Sequence, residues 1–174
     1  RVRGTKMSKR FGNITTPRDL REDGVDAGAI RLLVYQAHYR QELDLTDEAL
    51  AGAREAARRL GEFGRRLEAA AGTGDDSRFT EAAQHLREAF TNALDDDLNG
   101  PRAMAAVFDF VLAGNRLLDQ NSGPGPAVLD AWRMTDQVLA VTTVSQVQTI
   151  TAASAGAMGG SASETGGLFD TPPA

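Results

Sequence analysis

Cysteine is absent from the 174 residues. That excludes a disulfide framework, a thiolate zinc site and a cysteine nucleophile within this chain. Aromatic residues are scarce, 6% against a hydrophobic total of 41%. Alanine supplies much of that total, which favours a helical core over a β-sandwich. No apolar run approaches about 18 residues, so no membrane partner is expected. No secretory leader is visible, and the first residue is Arg1 rather than Met. The expectation is a processed chain, or a piece of a longer one, in the cytoplasm.

What charge there is lies unevenly. Residues 1–40 sum to +5, residues 41–120 to −7 and residues 121–174 to −3. A net-acidic chain is poorly suited to coating nucleic acid without regard to sequence. A basic head on an acidic body still allows a local phosphate site in the head.

The first 24 residues read as loop, punctuated by Gly4, Gly12, Thr15, Thr16, Pro17 and Gly24, with Val2 a possible strand end. Pro17 suits the first position of a short helix. Asp26 caps a helix expected to run to about Tyr39, with Ile30, Leu33, Val34 and Ala37 on its apolar face. Thr46 opens a long helix striped by Leu50, Ala53, Ala57, Leu60, Phe63, Leu67 and Ala70. The next begins near Arg78 and carries Phe79, Ala82, Ala83, Leu86, Phe90, Ala93 and Leu94. A further helix starts around Pro101, with Met104, Val107, Phe108, Val111 and Leu112 as its stripe. The last, about Ala127 to Val141, offers Val128, Leu129, Trp132 and Leu139. Residues 142–174 are rich in Ser, Thr, Gly and Ala and read as a disordered linker. The expected fold is all-α: an antiparallel helical bundle over 25–141, preceded by a loop segment over 1–24 and followed by the 142–174 tail.

The chemistry-bearing segment is Lys6-Met7-Ser8-Lys9, followed by Arg10-Phe11-Gly12-Asn13 in a glycine-bounded loop. Two lysines three apart, with a hydroxyl between them, can converge on polyphosphate oxygens and neutralise charge that builds at phosphorus. The plain alternative is a solvated basic turn.

This segment resembles the KMSKS signature of class I aminoacyl-tRNA synthetases, with Arg10 at the last signature position, where Ser is usual. Ala29-Ile30-Arg31-Leu32-Leu33, Ala37-His38-Tyr39-Arg40 and Leu43-Asp44-Leu45 look like cysteinyl-tRNA synthetase just after its catalytic loop. Asp95-Asp96-Asp97-Leu98-Asn99-Gly100-Pro101-Arg102-Ala103 is similar to a second stretch of that family. There Gly100 stands where Thr is usual, as a possible N-cap. The resemblance covers about residues 1–141. It implies that residues 1–24 close a class I catalytic domain and that the bundle is of the tRNA-binding type. It implies a parent enzyme that activates cysteine with ATP and transfers it to tRNA(Cys). In that parent Lys9 and then Lys6 are the catalytic candidates, and Ser8 and Met7 complete the ATP-phosphate contact. The family's HIGH-type motif and its zinc site lie upstream of the loop and are not in this chain, so no metal ligand is assigned here. Two other readings stand beside it: a cysteine ligase of the mycothiol pathway, acting on an amino-sugar, and a non-catalytic helical interaction module.

The remaining residues have plainer expectations. His38-Tyr39-Arg40 is read as helix-end packing, with a cation near the C-terminal dipole, rather than as a tRNA contact. Asp95, Asp96 and Asp97 are read as a solvated acidic patch, since neighbours on a helix diverge and cannot share a metal. Trp132 is read as core rather than as a base-stacking surface. Arg54, Arg58, Arg65 and Arg66 either follow phosphates or pair with the interleaved Glu55, Glu62 and Glu68.

Overall fold

A computed structural model describes residues 1, 2, 4–8, 10 and 13–142. The expected disorder of 142–174 lies, apart from Thr142, outside the described residues. Six helices follow in order: α1 (Pro17–Glu22), α2 (Ala27–Tyr35), α3 (Asp47–Ala69), α4 (Ser77–Asp95), α5 (Gly100–Asp119) and α6 (Pro126–Leu139). Among the described residues there is no strand. Val2 forms isolated bridges to Thr5 and Leu45.

The starts of the helices follow from their caps. Thr16 and Asp19 make a reciprocal capping box at α1: Asp19 N–H donates to Thr16 Oγ1, and Thr16 N–H donates to the Asp19 carboxylate. Asp26 accepts from Gly28 and Ala29 N–H, Thr46 from Ala49 N–H and Asp76 from Arg78 N–H. Each side chain satisfies a donor that a helix start leaves without a partner. At α5 the cap is Asn99, which accepts from Arg102 N–H at 3.1 Å, and not Gly100. Gly100 is the first helical residue, and a Cβ there would stand 3.0 Å from the Tyr35 carbonyl oxygen. Close approach to α2, rather than capping, is therefore what its missing side chain serves.

Packing is strongest between α4 and α5, between α2 and α3, and between α4 and α6. The core centres on Phe63, Phe79, Phe110 and Trp132, contributed by four different helices. Phe63 meets Phe110 edge-on at 5.6 Å and Trp132 edge-on at 5.1 Å, while Phe110 and Trp132 stack at 6.3 Å. Such pairings fit the negative faces and positive edges of the rings. Trp132 is core, as its spacing indicates. A smaller cluster of Leu20, Val25 and Ala29 seats α1 against α2 and touches Leu45, Leu50 and Ala57.

Two apolar faces differ in part from expectation, although Leu33 on α2 and Met104, Val107 and Val111 on α5 are buried as expected. On α2 the buried residues are Ala29, Leu32 and Leu33, whereas Val34 is 52% exposed. On α5 Phe110 carries the core contact and Leu112 is 54% exposed. Both helices have more apolar residues than one face can bury, so periodicity alone admits two rotations. Neighbour size decides on α5: Gly114 lets Phe63 lie against the helix backbone, and a Cβ at Gly114 would fall 2.6 Å from Phe63 Cζ.

Gly114→Val is accordingly expected to destabilise the fold by more than about 2 kcal/mol, because a rigid ring boxed by two others cannot yield. Urea denaturation should show a lower midpoint with an unchanged slope. An unchanged midpoint would mean that α3 and α5 do not cross at Phe63.

Candidate functional site

The basic loop is closed across its base by Asn13. The Asn13 Oδ1 accepts from Ser8 N–H at 2.9 Å, and its Nδ2 donates to the Lys6 carbonyl at 3.2 Å. One amide thus satisfies a donor and an acceptor five and seven residues back and fixes the turn. Ser8 Oγ accepts from Arg10 N–H at 3.1 Å, so it also shapes the loop. Lys6 and Arg10 are exposed, and Met7 is 38% exposed. The structure therefore brings Lys6, Met7 and Ser8 into one solvent-facing turn. Lys9 lies outside the described residues. Asn13 received no role from sequence reasoning; the available signal was an amide residue directly after Gly12, which is turn chemistry.

The stem of this loop rests on the segment after α2. Both Asp44 carboxylate oxygens accept from Gly4 N–H at 3.0 Å, and Leu45 N–H donates to the Arg1 carbonyl at 3.0 Å. Arg1 Nε pairs with Glu42 at 2.6 Å.

The same segment is held at its other end by the α4–α5 elbow. Helix α2 stops at Tyr35, four residues short of the expected Tyr39, so His38-Tyr39-Arg40 is loop and not helix end. Leaving the helix lets Tyr39 Oη donate to Asp97 Oδ1 at 2.6 Å, and lets Arg40 Nε and Nη2 donate to the two Asp97 oxygens at 2.8 and 3.2 Å. His38 stacks on Tyr39 at 4.9 Å, with Nε2 3.8 Å from Asp97. The Arg40 guanidinium sits 5.2 Å from the Tyr39 ring centre. The acidic patch is exposed, as expected, but two of its three side chains are paired. Asp95 ends α4, Asp96 pairs with Arg102 at 3.2 Å, and Asp97 is the acceptor of a four-residue cluster.

Backbone geometry aims Asp97. Asp97 and Leu98 are both left-handed, with φ of 55° and 50°. Leu98 N–H returns to the Leu94 carbonyl at 3.0 Å and Asn99 N–H to the Ala93 carbonyl at 2.9 Å. These two nested backbone bonds end α4 and turn the chain into α5. Hydrogen bonds from Arg40 and then Tyr39 hold the Asp97 carboxyl below its ordinary value, and the Asp97 carboxylate raises the Tyr39 hydroxyl.

The arginine runs of α3 resolve in favour of pairing where contacts are seen. Arg58 bonds Glu55 and Glu62 at 2.9 Å, and Arg66 bonds Asn115 and Asp119 on α5. Arg66 lines an open groove of about 720 Å³ between α3 and α5, floored by Phe63, Phe108 and Val111. Among the described residues no three His, Asp or Glu side chains converge on a metal position. With no cysteine, and His38 engaged with Tyr39, the donor set does not fit the zinc site that the resemblance assigns upstream. No helix among the described residues is long and apolar enough to cross a membrane.

The DALR domain family matches residues 89–141, from the last turns of α4 through α6 and including the Asp97 elbow. The chain is 38% identical over 145 residues to a protein named Cysteine--tRNA ligase from Chlamydia pneumoniae, covering 80% of this chain and 31% of that protein. A Cysteine--tRNA ligase from Chlorobium luteolum is 39% identical over 142 residues, covering 81% of this chain and 28% of that protein. One from Chlamydia muridarum is 36% identical over 158 residues, covering 83% and 33%. The end of α4 together with α5 and α6 is thus matched by a DALR domain. The chain as a whole is similar to one segment of cysteine–tRNA ligases, and it spans about a third of the length of the curated relatives it matches.

The Asp97 cluster has a defined pH dependence. A carboxyl held below its ordinary value stabilises the fold above that ordinary value, and the contribution is lost as pH falls through the depressed one. The side-chain carboxyl carbon resonance of Asp97 should therefore titrate with a midpoint below the ordinary aspartate range of roughly 4. A midpoint at or above that range would contradict the cluster.

Proposed function

We propose that this chain is the phosphate-loop and helical segment of a cysteine–tRNA ligase, which activates cysteine with ATP to cysteinyl adenylate and transfers it to tRNA(Cys) in the cytoplasm. The single observation that supports this reading most is family similarity over four fifths of the chain, at 38% identity in the Chlamydia pneumoniae case. The division proposed is 1–24 as the end of the catalytic domain, 25–141 as the tRNA-binding bundle and 142–174 as a linker. Neither the amino-sugar ligase nor the interaction module gains support from the relatives named above, all of which are cysteine–tRNA ligases.

The residues present suit a polyphosphate at the loop. Lys6 projects from a turn whose backbone is already fixed by Asn13, so little ordering is needed when an anion arrives. In activation the cysteine carboxylate attacks the α-phosphorus, the bond to the bridging oxygen breaks and pyrophosphate leaves with the electron pair. Ammonium groups of Lys9 and Lys6 would neutralise charge growing on that leaving group. Ser8 and Met7 shape and seat the loop. The zinc of the parent enzyme is expected upstream, and no step here passes through it.

Lys9→Ala in the complete ligase should slow adenylate formation on the order of a hundredfold or more at saturating ATP and cysteine, with cysteine binding little changed. Lys6→Ala should be milder, and Lys9→Arg should keep part of the activity, because a planar guanidinium replaces a compact ammonium imperfectly. Single-turnover measurement decides. An unchanged rate in Lys9→Ala would reduce the loop to a solvated basic turn.

A further inference from the structure

Segment 36–45 touches two places that are far apart in sequence. At one end Tyr39 and Arg40 are gripped by Asp97 of the α4–α5 elbow. At the other Asp44 accepts Gly4 N–H with both oxygens, and Leu45 pairs with the Arg1 backbone. Gly4 lies two residues before Lys6. Between the grips the chain is tightened by a turn in which Gln41 N–H donates to the His38 carbonyl at 2.7 Å.

We propose that segment 36–45 is a strap through which the DALR-domain elbow sets the pose of the basic loop, with Asp97, Tyr39, Arg40 and Asp44 as positioning residues. Three observations carry this. The span from Arg40 to Asp44 is four residues, at most about 14 Å when fully extended, so it holds little slack. The elbow is itself stiff: two consecutive left-handed residues are locked by two backbone bonds into α4, and Asn99 caps α5. The grips are charge-assisted at both ends, Arg40 to Asp97 and Gly4 N–H to the Asp44 carboxylate, which makes them directional. A rigid-body shift of α4 and α5 therefore reaches Gly4 through covalent chain and four side chains. The consequence for the rate of adenylate formation rests on the ligase reading; the mechanical coupling does not.

The test is amide hydrogen exchange on the 174-residue chain. Asp97→Asn is the informative variant, since Asn tolerates the left-handed backbone while losing the charge and one acceptor oxygen. Exchange at Gly4 and Leu45 should rise on the order of three- to tenfold, with the interiors of α4 and α5 at Leu86 and Phe110 unchanged. Asp96→Asn makes the same charge change one residue away, on a side chain that pairs only with Arg102 within the elbow. It should leave Gly4 and Leu45 as they are. If Asp97→Asn fails to fold, Tyr39→Phe at a 60% exposed position provides the same readout. Unchanged exchange at Gly4 and Leu45, or an equal rise in Asp96→Asn, overturns the strap. In the complete ligase Asp97→Asn should lower kcat for adenylate formation severalfold with KM for ATP unchanged. Faster exchange without that loss upholds the strap and counts against the catalytic reading of the loop.

Discussion

The crossing of α3 over α5, where Phe63 lies on the bare backbone at Gly114, is the contact on which the rest of the fold depends. It admits Phe63 into an aromatic group with Phe79, Phe110 and Trp132 that joins α3, α4, α5 and α6. Glycine inside a helix costs about 1 kcal/mol relative to alanine. Burial of a full phenylalanine ring, about 1.5–3 kcal/mol, offsets that cost. Similar economy holds at the far end of α4, where a Cβ at Gly123 would sit 2.2 Å from the Gly74 nitrogen. The loops before α4 and before α6 are thereby pressed together, and Arg78 ties them through Asp76 and Ser122.

With the bundle fixed, the α4–α5 elbow becomes a firm edge against which the loop after α2 is set. The two stretches that carry the family resemblance, around Tyr39 and around Asp97, are 57 and 58 residues apart at their hydrogen-bonded pairs and yet form one cluster. Loop 36–45 then carries the stem of the basic loop on Asp44. The basic head and acidic body seen in the charge distribution are joined here by Arg40–Asp97 and Arg1–Glu42. Charge asymmetry is in this respect partly structural, a short-range attachment between two regions of opposite sign.

Helix positions were legible in the sequence because caps and periodicity agree. Asp26 and Thr46 each begin a helix where a short polar side chain precedes an apolar stripe, and Pro17 begins α1. What was not legible depends on contacts distant in sequence. The early end of α2 lets Tyr39 and Arg40 reach Asp97, a partner that no local pattern signals. The exposure of Leu112 accompanies the close approach of Phe63 to Gly114 on the same helix, a contact that periodicity does not show. Asp97 read as one of three equivalent acids, because its left-handed backbone, which separates it from Asp95 and Asp96, belongs to the nested backbone turn that closes α4. At the loop the motif named Lys6, Met7, Ser8 and Lys9, but the residue that holds the turn is Asn13, whose role appears only once its amide is seen to bridge Ser8 and Lys6.

The proposed function requires a basic loop and a DALR-containing bundle, mechanically joined, to act together within a cysteine–tRNA ligase. The most direct measurement replaces the homologous third of the Chlamydia pneumoniae ligase with this chain and follows charging of tRNA(Cys) with cysteine. The account predicts cysteine- and ATP-dependent formation of cysteinyl-tRNA by the folded chimera. A folded chimera that binds ATP and cysteine yet forms no cysteinyl-tRNA would contradict it.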